Sequence, residues 1–226
     1  MQETTKYLCE NIQGCVFGFT QSDEITLILV DYQKLTSSAW FDYEVQKLCS
    51  ISASMTTMAF NKYFAENVAN EILEYKTSMV PQCVEIQQEI KEYHNTLRAA
   101  VNKGAIIDAR CFNIPKEEVT NLIYWRQLDA IRNSIQMVGQ ANFSHKELQN
   151  KSCNDIQNML HEQKGINWND YPTVCKKGAA IIYINYQNPQ SLTNGDTIKG
   201  WKIDTEMPIL KGEDRAYIDD LIYVGE

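Results

Sequence analysis

The stretch Gly18-Phe19-Thr20-Gln21-Ser22-Asp23-Glu24-Ile25-Thr26-Leu27 decides how this chain is read. To its left, Cys15 to Thr20 is a short run in which Phe17 and Phe19 alternate. To its right, Ile25 to Val30 is apolar and rich in β-branched residues and leucine. Polar turn residues separate the two runs, which predicts a β-hairpin. Its tip carries a serine and two adjacent acids. Neighbouring carboxylates repel, and a cation between them relieves the repulsion. Oxygen ligands of this kind suit Mg²⁺, which takes one or two carboxylates and draws its other ligands from water and substrate phosphates. On spacing alone, a plain hairpin with solvated acids is the commoner case.

The rest of the composition narrows the class. With 226 residues, 44% of them hydrophobic, the chain can form one large domain or a core with an extension. A net charge of −8 argues against a broadly basic nucleic-acid face, although a local basic patch still binds phosphate on an acidic protein. The seven cysteines are scattered and odd in number, which points to reduced thiols in a cytoplasm and not to a disulfide framework. His94, His145 and His161 show no zinc-like pairing with them. The sequence carries no signal-peptide pattern and no apolar run long enough to span a bilayer.

In chain order, Thr4 to Ile12 reads as a helix leading into the hairpin. Trp40 to about Glu66 reads as a long helix, with Phe41, Val45, Leu48, Ser52, Met55 and Ala59 on one stripe. Residues 67–104 look like an insertion, broken at Pro81 and followed by a helix bearing Ile86, Ile90, Tyr93 and Leu97. Ala105 to Asn113 has strand character. Pro115 opens a helix to about Val138, on which Arg126, Asp129, Asn133 and Gln136 line up as a polar stripe. Ser144 with Glu147, and Ser152 with Asp155, are capping-box patterns. Asn167 to Asp170 forms a polar, aromatic loop whose amides and indole suit a nucleotide or an unpaired base, and equally an ordinary turn. Lys176 and Lys177 precede a strand-like run from Gly178 to Tyr186, placed either to reach phosphates or to protect a sheet edge. Asn194-Gly195 is a hairpin signal, and Thr197 to Asp204 and Ala216 to Val224 contain strand-like pieces.

Gln21-Ser22-Asp23-Glu24 after a Gly-x-Thr strand resembles the second metal-binding motif of the tRNA(His) guanylyltransferase family. Asp108-Ala109-Arg110, Trp125-Arg126-Gln127-Leu128-Asp129, Gly165-Ile166-Asn167-Trp168-Asn169 and Lys176-Lys177-Gly178 resemble its later motifs, in the family's order. The likeness runs from about residue 1 to about residue 185 and is greatest to bacterial and phage members. It implies an α+β polymerase palm: a ferredoxin-like antiparallel sheet with helices on one side, over residues 1–185, with the first core strand absent. Residues 186–226 lie beyond it as a β-rich extension.

The resemblance further implies 3′-to-5′ nucleotide addition at the 5′ end of tRNA. The end is activated by ATP or carries a triphosphate, and the 3′-hydroxyl of GTP attacks it, with two Mg²⁺ ions as the metal cofactor. By this likeness Asp23 is the metal ligand, with Glu24 beside it as the second catalytic acid. Ser22, Asp23, Lys47 and Lys177 bind nucleotide, and Arg126, Asn133 and Asn167 bind tRNA. A cytoplasmic homo-oligomer, a tetramer, is implied as well. In the family's His-Ile-Asn-Asn-Leu-Tyr-Asn region this chain has Ile131-Arg132-Asn133-Ser134-Ile135-Gln136-Met137, so only Asn133 carries over.

One departure bears on activity. The family's first metal motif is Arg-x-Asp-Gly on an N-terminal strand, and this chain contains no Asp-Gly dipeptide. Two expectations follow: an N-terminally truncated enzyme, or a non-catalytic homologue that binds tRNA or nucleotide with half a metal site. A cyclase-like palm is the weaker third, since no Gly-Gly-Asp-Glu-Phe-like hairpin is present.

Overall fold

A computed structural model of the chain describes residues 1–77, 84–187 and 197–223. It divides into two compact units, residues 1–40 with 113–226 and residues 41–112.

The first unit is built on the hairpin. Strands β1 (Cys15–Gln21) and β2 (Glu24–Leu29) pair antiparallel, with Gln21 opposite Glu24 across a two-residue turn. Among the described residues they form one sheet with β3 (Ala179–Gln187) and β4 (Thr197–Asp204), in the order β2-β1-β3-β4 and antiparallel throughout. Period-two alternation divides the side chains of β1 between the two faces of this sheet. Phe17 and Phe19 enter a core with Val119 and Ile123 from α4 (Lys116–Asn142) and Ile218 and Ile222 from α8 (Ala216–Ile222). Gly18 faces the other way, toward α1 (Gln2–Asn11), where an added Cβ would lie 2.5 Å from Cys9 Sγ. The missing side chain is what lets α1 lie that close, burying Leu8 and Cys9.

Downstream of α4, helices α5 (His145–Leu148) and α6 (Cys153–Lys164) both start with complete capping boxes, as the Ser144–Glu147 and Ser152–Asp155 spacings predict. Ile135, Phe143, Ile156 and Leu160 form a second small core there. A short helix α7 (Thr173–Lys177) holds Lys176 and Lys177, immediately before β3.

The last residues differ from the expected β-rich tail. β4 pairs along β3 from Gln187↔Thr197 to Ala180↔Asp204, so it belongs to the main sheet. The segment expected as a final strand is α8 instead. Ile218 and Ile222 are four apart and both buried, a helical spacing. The Asn194-Gly195 signal lies outside the described residues. The tail is tied to α4 by Gln127, which is fully buried. Its Nε2 donates to Pro208 O at 2.8 Å, and its Oε1 accepts from Leu210 N at 3.1 Å.

In the second unit, the long helix α2 runs from Val45 to Thr77, followed by α3 (Val84–Lys103). It begins later than the Trp40 start expected, because Phe41, Asp42 and Tyr43 have φ of 51°, 48° and 62° and cannot continue a right-handed helix. The unit also reaches beyond the insertion expected at 67–104, while Pro81 lies outside the described residues. Residues 105–112, expected as strand, form none. Their polar backbone is met by α2 side chains: Asn61 Nδ2 donates to Ala105 O at 2.9 Å, and its Oδ1 accepts from Ala105 N at 2.7 Å. Ile107 N donates to Thr57 Oγ1 at 3.1 Å. These bonds replace a sheet ladder.

Candidate functional site

The hairpin turn is made by Ser22 and Asp23. Ser22 has φ 48°, a left-handed conformation that Gly or Asn usually supplies in such turns. Thr20 Oγ1 donates to Glu24 O at 3.0 Å and steadies the turn's base. Ser22, Asp23 and Glu24 are all exposed.

Glu24 is engaged. Its Oε2 accepts from Gln21 Nε2 at 2.9 Å and from the Arg126 guanidinium on α4, also at 2.9 Å. The same guanidinium pairs with Asp129 Oδ2 at 2.9 Å, and Asp129 Oδ1 pairs with Arg132 at 2.6 Å. Asn133 Nδ2 completes this cluster, donating to Asp129 Oδ2 at 3.2 Å. Two acids and two guanidiniums balance here, so Asp23 is left as the uncompensated charge at the tip. The Glu24 arm is about half exposed, which limits its worth to roughly 1 kcal/mol or less. Arg126 and Asp129 are each 19% exposed, so their pairing is screened far less.

Lys177 reaches the same end of the sheet through the backbone. Thr20 pairs with Ala179, so Gly178 and the end of α7, with Lys177, enter β3 at the hairpin end of β1. Gly178 fits there only as glycine, since an added Cβ would lie 2.6 Å from Thr20 O.

Asn167 lies elsewhere on this unit. It caps the short turn Trp168–Asp170, accepting from Asn169 N at 3.1 Å and donating to Asp170 Oδ1 at 3.1 Å. Trp168 Nε1 donates to Ser134 Oγ of α4 at 3.2 Å, which fixes the turn against that helix. Lys176 Nζ donates to Asn169 O at 2.5 Å and lies 5.4 Å from the Trp168 ring centre. Lys47 belongs to the second unit, where its ammonium is 3.4 Å from Glu44 and 5.4 Å from the Phe41 ring centre.

The structure thus joins Glu24, Arg126 and Asn133 through side chains and brings Lys177 to the hairpin end through the sheet. Asp129, on the polar stripe read from the sequence, is the hub of the ion pairs, three positions from both Arg126 and Arg132. One participant was missed in the sequence. Trp125, 59% exposed, has Arg126 Cζ 4.7 Å from its ring centre.

As donors for metal, the described residues hold no group of three His, Cys, Asp or Glu. Glu24 is committed to Arg126 and Gln21, and Asp23 is the one carboxylate at the tip without a partner among the described residues. That donor set offers a single ligand to Mg²⁺ and does not fit a two-ion site.

The sheet and its helices make this an α+β protein of the polymerase-palm type. A family model described as tRNA(His) guanylyltransferase matches residues 1–115, and the chain belongs to that family. A bacterial tRNA(His) guanylyltransferase-like protein solved in complex with ATP superposes with TM-score 0.70 at 36% identity, over 98% of this chain and 77% of that one. A bacterial protein of the same description in complex with GTP gives TM-score 0.66 at 32% identity, over 98% and 75%. The tRNA(His) guanylyltransferase of Saccharomyces cerevisiae shares the fold, with TM-score 0.53 at 19% identity over 80% and 70%. An uncharacterised protein of Acanthamoeba polyphaga mimivirus is 30% identical over 178 residues, 74% of this chain and 55% of that protein. The chain therefore spans about half the length of that curated relative. Among the described residues no helix is long and apolar enough to cross a membrane.

Proposed function

We propose that this chain binds a nucleoside triphosphate at the hairpin tip and acts on the 5′ end of tRNA, as a nucleotidyltransferase adding nucleotides in the 3′-to-5′ direction. The observation that supports the reading is that the Ser22–Asp23 turn and the α7–β3 junction after Lys177 lie at the same end of the sheet, in a chain similar to proteins solved with ATP and GTP. Ser22 Oγ donates to a phosphate oxygen, and the Lys177 ammonium neutralises phosphate charge. Asp23 would be the one protein carboxylate offered to a Mg²⁺ ion, which would supply further charge neutralisation at the phosphates. Glu24, held by Arg126, fixes the direction in which the tip points. Arg126, Asn133 and Asn167 are assigned to tRNA, in a cytoplasmic homo-oligomer of the tetrameric kind.

The engagement of Glu24 favours a second reading, a homologue that binds nucleotide or tRNA without catalysing, because one free carboxylate cannot hold two ions in register.

Calorimetry with GTP and Mg²⁺ tests the shared core of both. Asp23→Ala and Lys177→Ala should each weaken GTP by roughly ten-fold, the scale of one charge-assisted contact, while Lys146→Ala on α5 leaves it unchanged. Tight GTP binding indifferent to both substitutions would remove the hairpin from the proposal. For tRNA lacking its first nucleotide, Arg126→Ala and Asn167→Ala should weaken binding. Nucleotide addition by the wild-type chain separates the enzyme from the binding protein.

A further inference from the structure

The polar stripe expected on α4 from Arg126, Asp129, Asn133 and Gln136 is not the face that meets solvent most openly. Arg126 and Asp129 are largely sunk into their ion pairs. Beside it runs a more open line that meets it at Gln136: Trp125 and Leu128, 59% and 44% exposed, then Arg132 and Gln136, also exposed. Their spacings of three, four and four place them along one face of the helix. An indole exposed to this degree gives up burial that would stabilise the fold. It is nevertheless not loose. The Arg126 guanidinium covers it at 4.7 Å, and that guanidinium is fixed by Glu24 and Asp129 at 2.9 Å each. The ring is therefore held beside the hairpin by the group that orients Glu24.

We propose that Trp125 is a stacking platform for a nucleobase bound next to the hairpin tip. Every base has a π-face, and an aromatic ring that is already ordered loses little freedom on stacking. A cation on the ring's other face leaves the indole in the arrangement of a guanidinium–indole–base sandwich. Arg132, 62% exposed while one arm of its fork pairs with Asp129, and Gln136, further along the same line, offer guanidinium and amide donors to the ribose-phosphate that follows the base. The base comes either from a free nucleotide or from unpaired RNA. The inference rests on the nucleotide reading above and adds to it the residue that would recognise the base.

The test uses the full chain as wild type, Trp125→Phe and Trp125→Ala, with urea midpoints measured first to show that all three fold. GTP, ATP, inorganic tripolyphosphate and a short single-stranded RNA are titrated with Mg²⁺ present. The expected result is a loss of roughly ten-fold or more for Trp125→Ala, from the worth of one base stack, with most of it restored in Trp125→Phe and tripolyphosphate unaffected. Loss confined to GTP and ATP assigns the base to a free nucleotide, and loss confined to RNA assigns it to an unpaired end. Equal loss for tripolyphosphate would show that the alanine acts by releasing Arg126, and overturns the proposal. Unchanged GTP, ATP and RNA binding overturns it too. A wild-type chain that binds none of the probes takes the nucleotide reading down with it, an outcome distinct from a wild type that binds and ignores Trp125.

Discussion

Gly178→Ala is the sharpest structural test of how the hairpin end is assembled. Gly178 joins α7 to β3 with φ 84° and ψ −172°, a region essentially closed to other residues. A β-carbon there would lie 2.6 Å from Thr20 O, 2.8 Å from Phe19 Cζ and 3.0 Å from Phe19 Cε2. Neither neighbour can retreat: Thr20 is strand backbone paired on both sides, and Phe19 is 1% exposed in the core. Backbone strain contributes about 1–3 kcal/mol, and forcing an extra carbon into a packed site adds about 1–3 kcal/mol. Alanine also restricts the unfolded chain, which returns about 0.4–1 kcal/mol. Gly165→Ala is the control. Gly165 has φ 66° with nothing within 4 Å of its added carbon, so it carries backbone strain and the unfolded-state effect without the clash. The difference between the two variants is then the overpacking, about 1–3 kcal/mol, together with the less favourable φ/ψ region of Gly178. Urea denaturation with equal slopes reads it as a lower midpoint for Gly178→Ala. A Gly178→Ala protein as stable as Gly165→Ala would refute the close approach of α7 to β1, and with it the placement of Lys177 at the hairpin.

Other substitutions probe neighbouring parts of the first unit. Gln127→Ala leaves Leu210 N buried without its partner and Pro208 O, part-buried, without its donor, and should cost about 1–3 kcal/mol for the first and less for the second, read from the urea midpoint. Hydrogen bonds from Ser144 and Ser152 hold the Glu147 and Asp155 carboxyls below their ordinary values. The contribution of these caps is therefore complete above the ordinary carboxylate range and is lost as pH falls through the depressed values. Carbon-detected NMR titration should show Asp155 returning upward in Ser152→Ala while Glu147 stays depressed, and an unmoved Asp155 would deny the cap its role.

The hairpin was legible because local chemistry settles it. Alternating Phe17 and Phe19, a polar break of two residues and a second apolar run leave few other ways to bury the aromatics. The capping boxes were legible for the same reason, each being complete within four residues. Where distant partners decide, local pattern misled. Residues 105–112 alternate as a strand would, yet Asn61 and Thr57, some fifty positions earlier, take up backbone groups that a sheet would otherwise pair. Ala216 to Ile222 is apolar enough for either period, and the core beside Phe17 selects the helical one. The Arg126–Asp129 pair on α4 was legible from helical spacing, but its depth was not: Glu24 and Asp129 draw Arg126 inward and leave the indole of Trp125 outside.

The motif Trp125-Arg126-Gln127 is contiguous because its three side chains serve three different directions. Successive residues of an α-helix point about 100° apart, so three in a row address three directions. Gln127 turns fully inward and binds both polar groups of the Pro208–Leu210 segment, fixing α4 against the tail of its own sheet. Arg126 points sideways to Glu24 and fixes α4 against the hairpin. Trp125 points outward, so its position is set by both clamps at once. Moving any of the three by one residue would rotate its side chain onto a neighbour's task. An arginine at position 125 would lie on the exposed line, away from Glu24, and a tryptophan at 127 would have to replace two buried hydrogen bonds with one indole donor. The order of the motif thus holds helix, hairpin and tail in one register and leaves the Trp125 ring exposed beside Arg126.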